Sequence, residues 1–393
     1  MRVLENERHF VVTPWTVEGE VDYTILVEKF GLKLIDKGIE DLFKKAIGEV
    51  PSLVRRRIFF SHRDLDNVLK LYLSGKKFYL YTGRGPSGPM HIGHIVPFLF
   101  TKYLQEKFRA EVYIQITSDE KYMYHEDILP QIIEKYTQEN ILDIISVGFD
   151  DKRTYVIDDL KHINYLYPIA VSVARKINFS VVRAAFGFTD STNIGLIYFP
   201  AIQAVPCFLG FLVSSENKGC LIPAAVDQDP YWRVTRDIAP KLNFPKPAQI
   251  HGKFLPSLKG EGKMSASKPE TSVYLDDPPE VVRKKIWNAF TGGQATIREQ
   301  RLKGGNPERC RIFSYLYFLF EPDDKRVEEI YNECTSGKRI CGDCKEELIS
   351  RINRFLDEHK RKRESFRDKI ERYMLDAKLS QEELKSRVYK MLR

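Results

Sequence analysis

The chain has 393 residues, of which 43% are hydrophobic, 12% aromatic and 30% charged, with a formal net charge of +8. This length and balance exclude a disordered or fibrous polymer and predict two or three packed units, while the modest basic excess is compatible with a polyanionic partner without requiring one. The most apolar stretch is read as residues 312–320, only core-sized, so no membrane span is expected; the six cysteines lack a disulfide framework and residues 1–14 lack a signal or transit composition, so a reducing cytoplasm is the expected setting.

Residues 1–77 mix a polar-aromatic start, Thr13-Pro14-Trp15, with a helix-like stretch over 40–48 and the basic triplet Arg55-Arg56-Arg57, and read as an N-terminal appendage. At Phe78 the texture changes. Phe78-Tyr79-Leu80-Tyr81 predicts a strand ending in Thr82-Gly83-Arg84-Gly85-Pro86, and a helical pattern follows over 91–108, with Pro97 able to kink it. A strand over 111–117, a helix over 129–147, a strand over 154–157 and a helix over 162–177 come next. A late buried strand over 221–226 runs into Asp227-Gln228-Asp229 and a helix over 231–238. The alternation predicts an α/β domain over 78–275 with parallel βαβ units, whose strand ends are where ligands bind.

After Asp276-Asp277-Pro278-Pro279 the strand signals stop. Leu348, Ile352, Phe355, Leu356 and His359, then Phe366, Ile370 and Tyr373, share one helical face, and Ser380 with Glu383 makes a capping box for a final helix. Residues 276–393 are therefore expected to form an all-helical domain.

Gly83-Arg84-Gly85-Pro86-Ser87-Gly88 matches the dinucleotide-binding glycine pattern between a strand and a helix. Pro86 argues against that reading, since it removes an amide donor from the turn that would cradle a pyrophosphate. His91-Ile92-Gly93-His94 offers a better account. It places two imidazoles at a helix start, where free amides and the dipole favour phosphate, around a glycine that lets a flat base approach. Lys263-Met264-Ser265-Ala266-Ser267 lies in a loop with Lys259-Gly260-Glu261-Gly262, a mobile cationic segment suited to a leaving pyrophosphate. Taken singly, the first motif also reads as ordinary histidines near a turn, and the second as a plain surface loop.

The two motifs together, across a βαβ region, resemble the paired motifs of class I aminoacyl-tRNA synthetases. Tyr81-Thr82-Gly83-Arg84-Gly85-Pro86, Phe199-Pro200-Ala201-Ile202-Gln203 and Asp227-Gln228-Asp229-Pro230-Tyr231 are similar to the tryptophanyl branch of eukaryotes and archaea. The resemblance runs from Pro14-Trp15-Thr16 through Phe59-Phe60-Ser61-His62-Arg63-Asp64 to the C-terminal helices. It implies a Rossmann-like catalytic domain followed by an anticodon-binding helical domain, activation of L-tryptophan with ATP and Mg²⁺, transfer to tRNA(Trp), and a homodimer. It also implies roles. His91, Gly93, His94, Lys263, Met264, Ser265 and Ser267 would form the catalytic motifs. ATP would meet Arg84, Gly85, Gly93, His94, Asp227, Lys263 and Ser265. The amino acid would meet Tyr81, Gly83, Gln115, Glu120, Phe199, Gln203 and Gln228, with Tyr81 and Gln115 at the indole nitrogen and Glu120 against the ammonium.

The chain departs from the pattern after Gly292-Gly293, where Gln294-Ala295 stands in place of the arginine and aspartate the resemblance implies, so no anticodon contact is assigned there. Lys360-Arg361-Lys362-Arg363 and Arg367 are expected on the solvated side of a long helix, within reach of tRNA phosphates. Cys341-Gly342-Asp343-Cys344 with Cys334 has the spacing of two thiolate ligands, but no fourth ligand is evident, and no metal is assigned. The rival readings are a tyrosyl enzyme, a small-molecule nucleotidyltransferase, and a synthetase-derived RNA-binding protein without catalysis.

Overall fold

The sheet grows outward from one strand. The computed structural model describes residues 10–14, 17–19, 21–125, 127–260, 262, 264 and 268–391. Within them lie nine strands: β1 (Val11–Val12), β2 (Val17–Glu18), β3 (Lys33–Leu34), β4 (Phe59–Arg63), β5 (Lys77–Arg84), β6 (Val112–Ile116), β7 (Thr154–Asp158), β8 (Asn217–Ala225) and β9 (Ala248–Gly252). The first two pair with each other, and the other seven form one sheet in the order β3-β4-β9-β8-β5-β6-β7. From β9 to β7 all neighbours are parallel, and β4 and β3 join antiparallel at one edge. The chain leaves β5 for β6 on one side and returns to β8 on the other. The order therefore reverses at β5, and the crevice beyond its carboxyl end is where such a sheet takes a ligand.

Side chains alternate across β5, so its two faces feed two cores. Phe78 and Leu80 join Val112, Ile114 and Val156 in one cluster, whereas Tyr79 and Tyr81 join Tyr113 and Ile157 in the other. The helices Ile92–Phe108 and Pro130–Ile145 cover the first face. Pro97 sits inside the first of these without interrupting it.

Within the expected N-terminal appendage, β3 and β4 extend the seven-stranded sheet. β4 and β9 escape a hydrophobic reading because their polar residues are buried against each other. Ser61 Oγ lies 3.2 Å from His251 Nδ1, and His251 Nε2 lies 2.7 Å from Gln249 Oε1.

From Pro279–Trp287 onward the described chain is helical, including the long helix Cys341–Phe366. Tyr315 of the short helix Arg311–Tyr315 and Leu348, Ile352 and Leu356 of the long one join the same apolar cluster as the sheet, so the helical part shares a core with the α/β part. The basic triplet strengthens that junction: Arg56 donates to the carbonyls of Tyr317, Glu321 and Pro322 at 2.8, 2.7 and 3.1 Å and, with Arg55, to Asp324.

Two expectations are overturned. The most apolar long stretch is not 312–320 but Ile194–Val213, whose 20 residues are long and apolar enough to cross a membrane by length and composition. It consists of two helices, Ile194–Gln203 and Pro206–Val213, and 78% of its most apolar window is buried inside the fold, so its composition is that of a core element. Within the basic run, Lys360, Arg361 and Lys362 are exposed, but Arg363 turns inward to pair with Glu139 and Asp143 on Pro130–Ile145.

Candidate active site

A cavity of about 320 Å³ opens at the carboxyl ends of β5, β6 and β8. Its wall includes Gly83, Arg84 and Gly85 from the end of β5, His91, Gly93 and His94 from the next turn, and Glu120 after β6. Phe199, Gln203, Asp227, Gln228 and Met264 close it from elsewhere in the chain.

The helix Ile92–Phe108 starts at this cavity with His91 as its extended N-cap. His91 N–H donates to His94 Nδ1 at 3.2 Å, and His94 N–H donates to the His91 carbonyl at 2.9 Å. With Nδ1 in use as an acceptor, a neutral His94 carries its proton on Nε2, which makes that atom a donor. The helix start adds its own amides and dipole, both favourable to an anion.

Gly93 leaves room for two neighbours, since a Cβ there would lie 3.1 Å from the His91 ring and 3.2 Å from Met264 Sδ. The segment carrying Met264 is thereby stacked onto the histidine motif. Further on it is pinned to the same turn: Ile92 N–H donates to Val273 O at 2.9 Å and Leu275 N–H to Met90 O at 3.0 Å. Its root is tied to the helical part of the chain, where Phe290 N–H donates to Leu258 O at 2.8 Å and Arg311 donates to Gly260 O. Of the lysine motif, Lys263, Ser265 and Ser267 lie outside the described residues.

Arg84 is held by an amide: its Nε donates to Asn140 Oδ1, while Asn140 Nδ2 donates to Gly88 O at 3.0 Å. Burial lowers the guanidinium to about 10, against the opposing charge of Asp143, so it remains a cation at neutral pH. Glu120 is 5% exposed, with Thr117 Oγ1 at 3.3 Å and Lys121 Nζ at 2.9 Å from its carboxylate. A Cβ on Gly85 would come within 2.1 Å of Lys121 Cε, so glycine there lets Lys121 fold back beside Glu120.

Tyr81 and Gln115 do not line the cavity but form a buried floor under it. Tyr81 Oη donates to Gln115 Oε1 at 2.5 Å and lies 3.2 Å from Gln203 Nε2, which belongs to the wall. The Tyr81 ring meets Trp232, also in the wall, edge to face at 5.1 Å between centroids. Gly83 pairs with Gln115 across β5 and β6, and a Cβ on it would lie 2.6 Å from the Gln115 carbonyl.

The cavity thus gathers Gly83, Arg84, Gly85, His91, Gly93, His94, Glu120, Phe199, Gln203, Asp227, Gln228 and Met264. The sequence reading does not anticipate Lys121 and Trp232 in the wall, or Asn140 and Asp159 behind it. Trp232 follows Asp229-Pro230-Tyr231 directly, and that adjacency is the one local signal for it.

Away from this cavity, Cys310, Cys334, Cys341 and Cys344 line a much smaller apolar one, in which Arg339 Nε donates to Cys344 Sγ at 2.9 Å. Cys310 is the fourth thiol that spacing does not disclose. Burial pushes the Cys344 thiol up to about 11 despite Arg339. Among the described residues no group of three or more His, Cys, Asp or Glu is placed to hold a metal ion.

A family model for class I tRNA synthetases, those for tryptophan and tyrosine, matches residues 73–357. The tryptophan–tRNA ligase of Thermococcus kodakarensis is 52% identical over 377 residues, 95% of this chain and 96% of that protein. That of Pyrococcus furiosus is 52% identical over 380 residues, 96% and 97% of the two chains. Among solved structures, a product-bound parasite tRNA synthetase superposes with a TM-score of 0.87 at 37% identity, covering 94% of this chain and 100% of its own. The Plasmodium falciparum tryptophanyl-tRNA synthetase gives 0.85 at 36%, covering 93% and 99%. The chain belongs to the class I tRNA synthetases.

Proposed function

We infer that this cavity is where the synthetase brings its amino acid and ATP together. The chain is a tryptophan–tRNA ligase: it activates L-tryptophan with ATP to tryptophanyl adenylate and pyrophosphate, then transfers the tryptophan to tRNA(Trp). The observation that carries the residue-level reading is the single cavity shared by His94 and Arg84 with Glu120, Gln203 and Gln228.

A carboxylate oxygen of tryptophan attacks the α-phosphorus of ATP, the bond to the β-phosphate oxygen breaks, and pyrophosphate departs with the electron pair. No protein nucleophile is needed, so the side chains act by alignment and charge. His94 Nε2–H, the helix amides and Arg84 face the phosphates, Gly93 admits the adenine, and Asp227 completes the nucleotide side with Gly85. Lys263, Ser265 and Ser267 act on the departing pyrophosphate, carried by the segment whose Met264 rests over Gly93. Glu120 takes the ammonium, exchanging its present contact with Lys121. Gln203 and Gln228 flank the ammonium and carboxylate, Phe199 packs beside the indole, and Tyr81 and Gln115 receive the indole N–H from the floor. Mg²⁺ would be held by the ATP phosphates, where it would offset the charge developing on the departing pyrophosphate. The working unit is a cytoplasmic homodimer, with residues 78–275 as catalytic domain and 276–393 as anticodon reader.

The test is exchange of labelled pyrophosphate into ATP, which should require tryptophan; exchange supported by tyrosine, or by neither amino acid, would sink the assignment. At residue level, Gln115→Ala or Tyr81→Ala should weaken tryptophan far more than ATP, and equal losses would count against the floor.

A further inference from the structure

We propose that Asp159, just beyond β7, is a positioning residue that fixes which end of the Gln115 amide faces the amino-acid side chain, and thereby makes the subsite demand a hydrogen-bond donor. The proposal rests on the reading of Gln115 and Tyr81 as the indole-facing floor. Gln115 Nε2 lies 3.0 and 2.9 Å from the two carboxyl oxygens of Asp159, and Gln115 Oε1 receives the Tyr81 hydroxyl at 2.5 Å. Asp159 and Gln115 are both fully buried, so water cannot substitute for either bond.

The two ends of a carboxamide are nearly equal in size, and only their hydrogen-bond partners decide the orientation. Were Gln115 to flip, its oxygen would face the Asp159 carboxyl, and both present N–H contacts to that carboxyl would be lost in a site closed to water. The flipped Nε2 would also offer N–H to a ring system whose nitrogen has no available lone pair. Asp159 therefore keeps an acceptor turned toward the indole N–H. A second buried carboxyl shows how this acid tolerates its position. Burial pushes Asp159 well above the ordinary carboxyl range, aided by the charge of Asp119, and pushes Asp119 up to about 6 against its hydrogen bond with Asp159. Burial thus favours the neutral Asp159 carboxyl, which still leaves an oxygen to accept from Gln115.

The experiment compares tryptophan with β-(benzothiophen-3-yl)alanine, in which sulfur replaces the N–H, in pyrophosphate exchange by the full-length enzyme. In Asp159→Leu the preference for tryptophan falls by roughly tenfold or more, through the KM for tryptophan, with the KM for ATP unchanged. Asp159→Asn keeps the preference, because its side-chain oxygen still accepts from Gln115. In a Gln115→Ala background, Asp159→Leu changes the ratio no further. Should Asp159→Leu fail to fold, Asp159→Ala is read by the same ratio. A folded variant lacking the acceptor that retains the wild-type preference overturns the proposal, as does an Asp159→Leu effect that persists without Gln115. If Gln115→Ala alone leaves the KM for tryptophan unmoved, the floor reading itself falls, a result distinct from the others.

Discussion

Arg84 donates through Nε to the side-chain oxygen of Asn140, an amide that orients the guanidinium without neutralising it. Its charge is therefore left for whatever fills the cavity. Arg84→Ala should raise the KM for ATP by roughly tenfold to a hundredfold, with little effect on the KM for tryptophan. Asn140→Leu should shift ATP in the same direction by less. The ATP dependence of pyrophosphate exchange measures both, and an unmoved ATP KM in Arg84→Ala would remove the phosphate role.

Gly83 is the tightest spot on β5, because a Cβ would meet the backbone carbonyl of Gln115 at 2.6 Å, a group with no rotamer to yield. Gly83→Ala should cost about 1–3 kcal/mol of stability through overpacking and, by moving Gln115, weaken tryptophan binding more than ATP. Urea unfolding and calorimetric titration with each substrate read the two effects.

Glu120 already holds one ammonium, that of Lys121. Glu120→Gln should raise the KM for tryptophan by roughly tenfold or more, whereas indole-3-propionate, which lacks the amino group, should inhibit wild type and variant equally. A matching loss of indole-3-propionate binding would place the role of Glu120 elsewhere.

Arg56 joins the α/β and helical parts, so Arg56→Ala should destabilise the protein by about 2–4 kcal/mol, mostly by leaving buried carbonyls unpaired. Its partner Asp324 adds a pH signature. Partial burial pushes the Asp324 carboxyl up, but the hydrogen bonds from Arg56 and Arg55 outweigh it and bring it below the ordinary range. On acidification the unfolded chain therefore binds the proton first. The contribution is complete above about pH 4 and disappears as pH falls through the lower folded value. Asp324→Asn should be less stable than wild type at neutral pH, and the gap should close in acid unfolding below about pH 4.

Much of this fold is legible because its signals are local. Phe78-Tyr79-Leu80-Tyr81 announces a strand, His91 sits at the helix start it predicts, and Ser380 Oγ accepts from Glu383 N–H at 3.2 Å as the capping box requires. β9 is not legible, since Gln249 and His251 read as surface residues until their buried partners are known. The same holds within the site. Gly83 and Gln203 lie in recognisable motifs, but Asn140 and Asp159 act only through approaches across the fold, to Arg84 and Gln115. Arg363 looks like one more solvated cation in its run, and only the position of Glu139 and Asp143 turns it inward.

The stretch Ile194–Val213 meets the rest of the chain on an awkward schedule. Tyr79 Oη donates to Cys207 O at 2.6 Å, but Arg387 also donates to Leu212 O at 2.6 Å, and Leu384 and Val388 share its apolar cluster. During synthesis the first partner leaves the ribosome before this stretch, and the helix Gln381–Met391 long after it. Until that last helix arrives, a segment greasy enough for a bilayer lies partly uncovered, an invitation to chaperones and to clumping. The final helix is thus the latch on a newly made chain, and damage to it would be felt first as poor yield of folded enzyme and only secondarily in any step of catalysis.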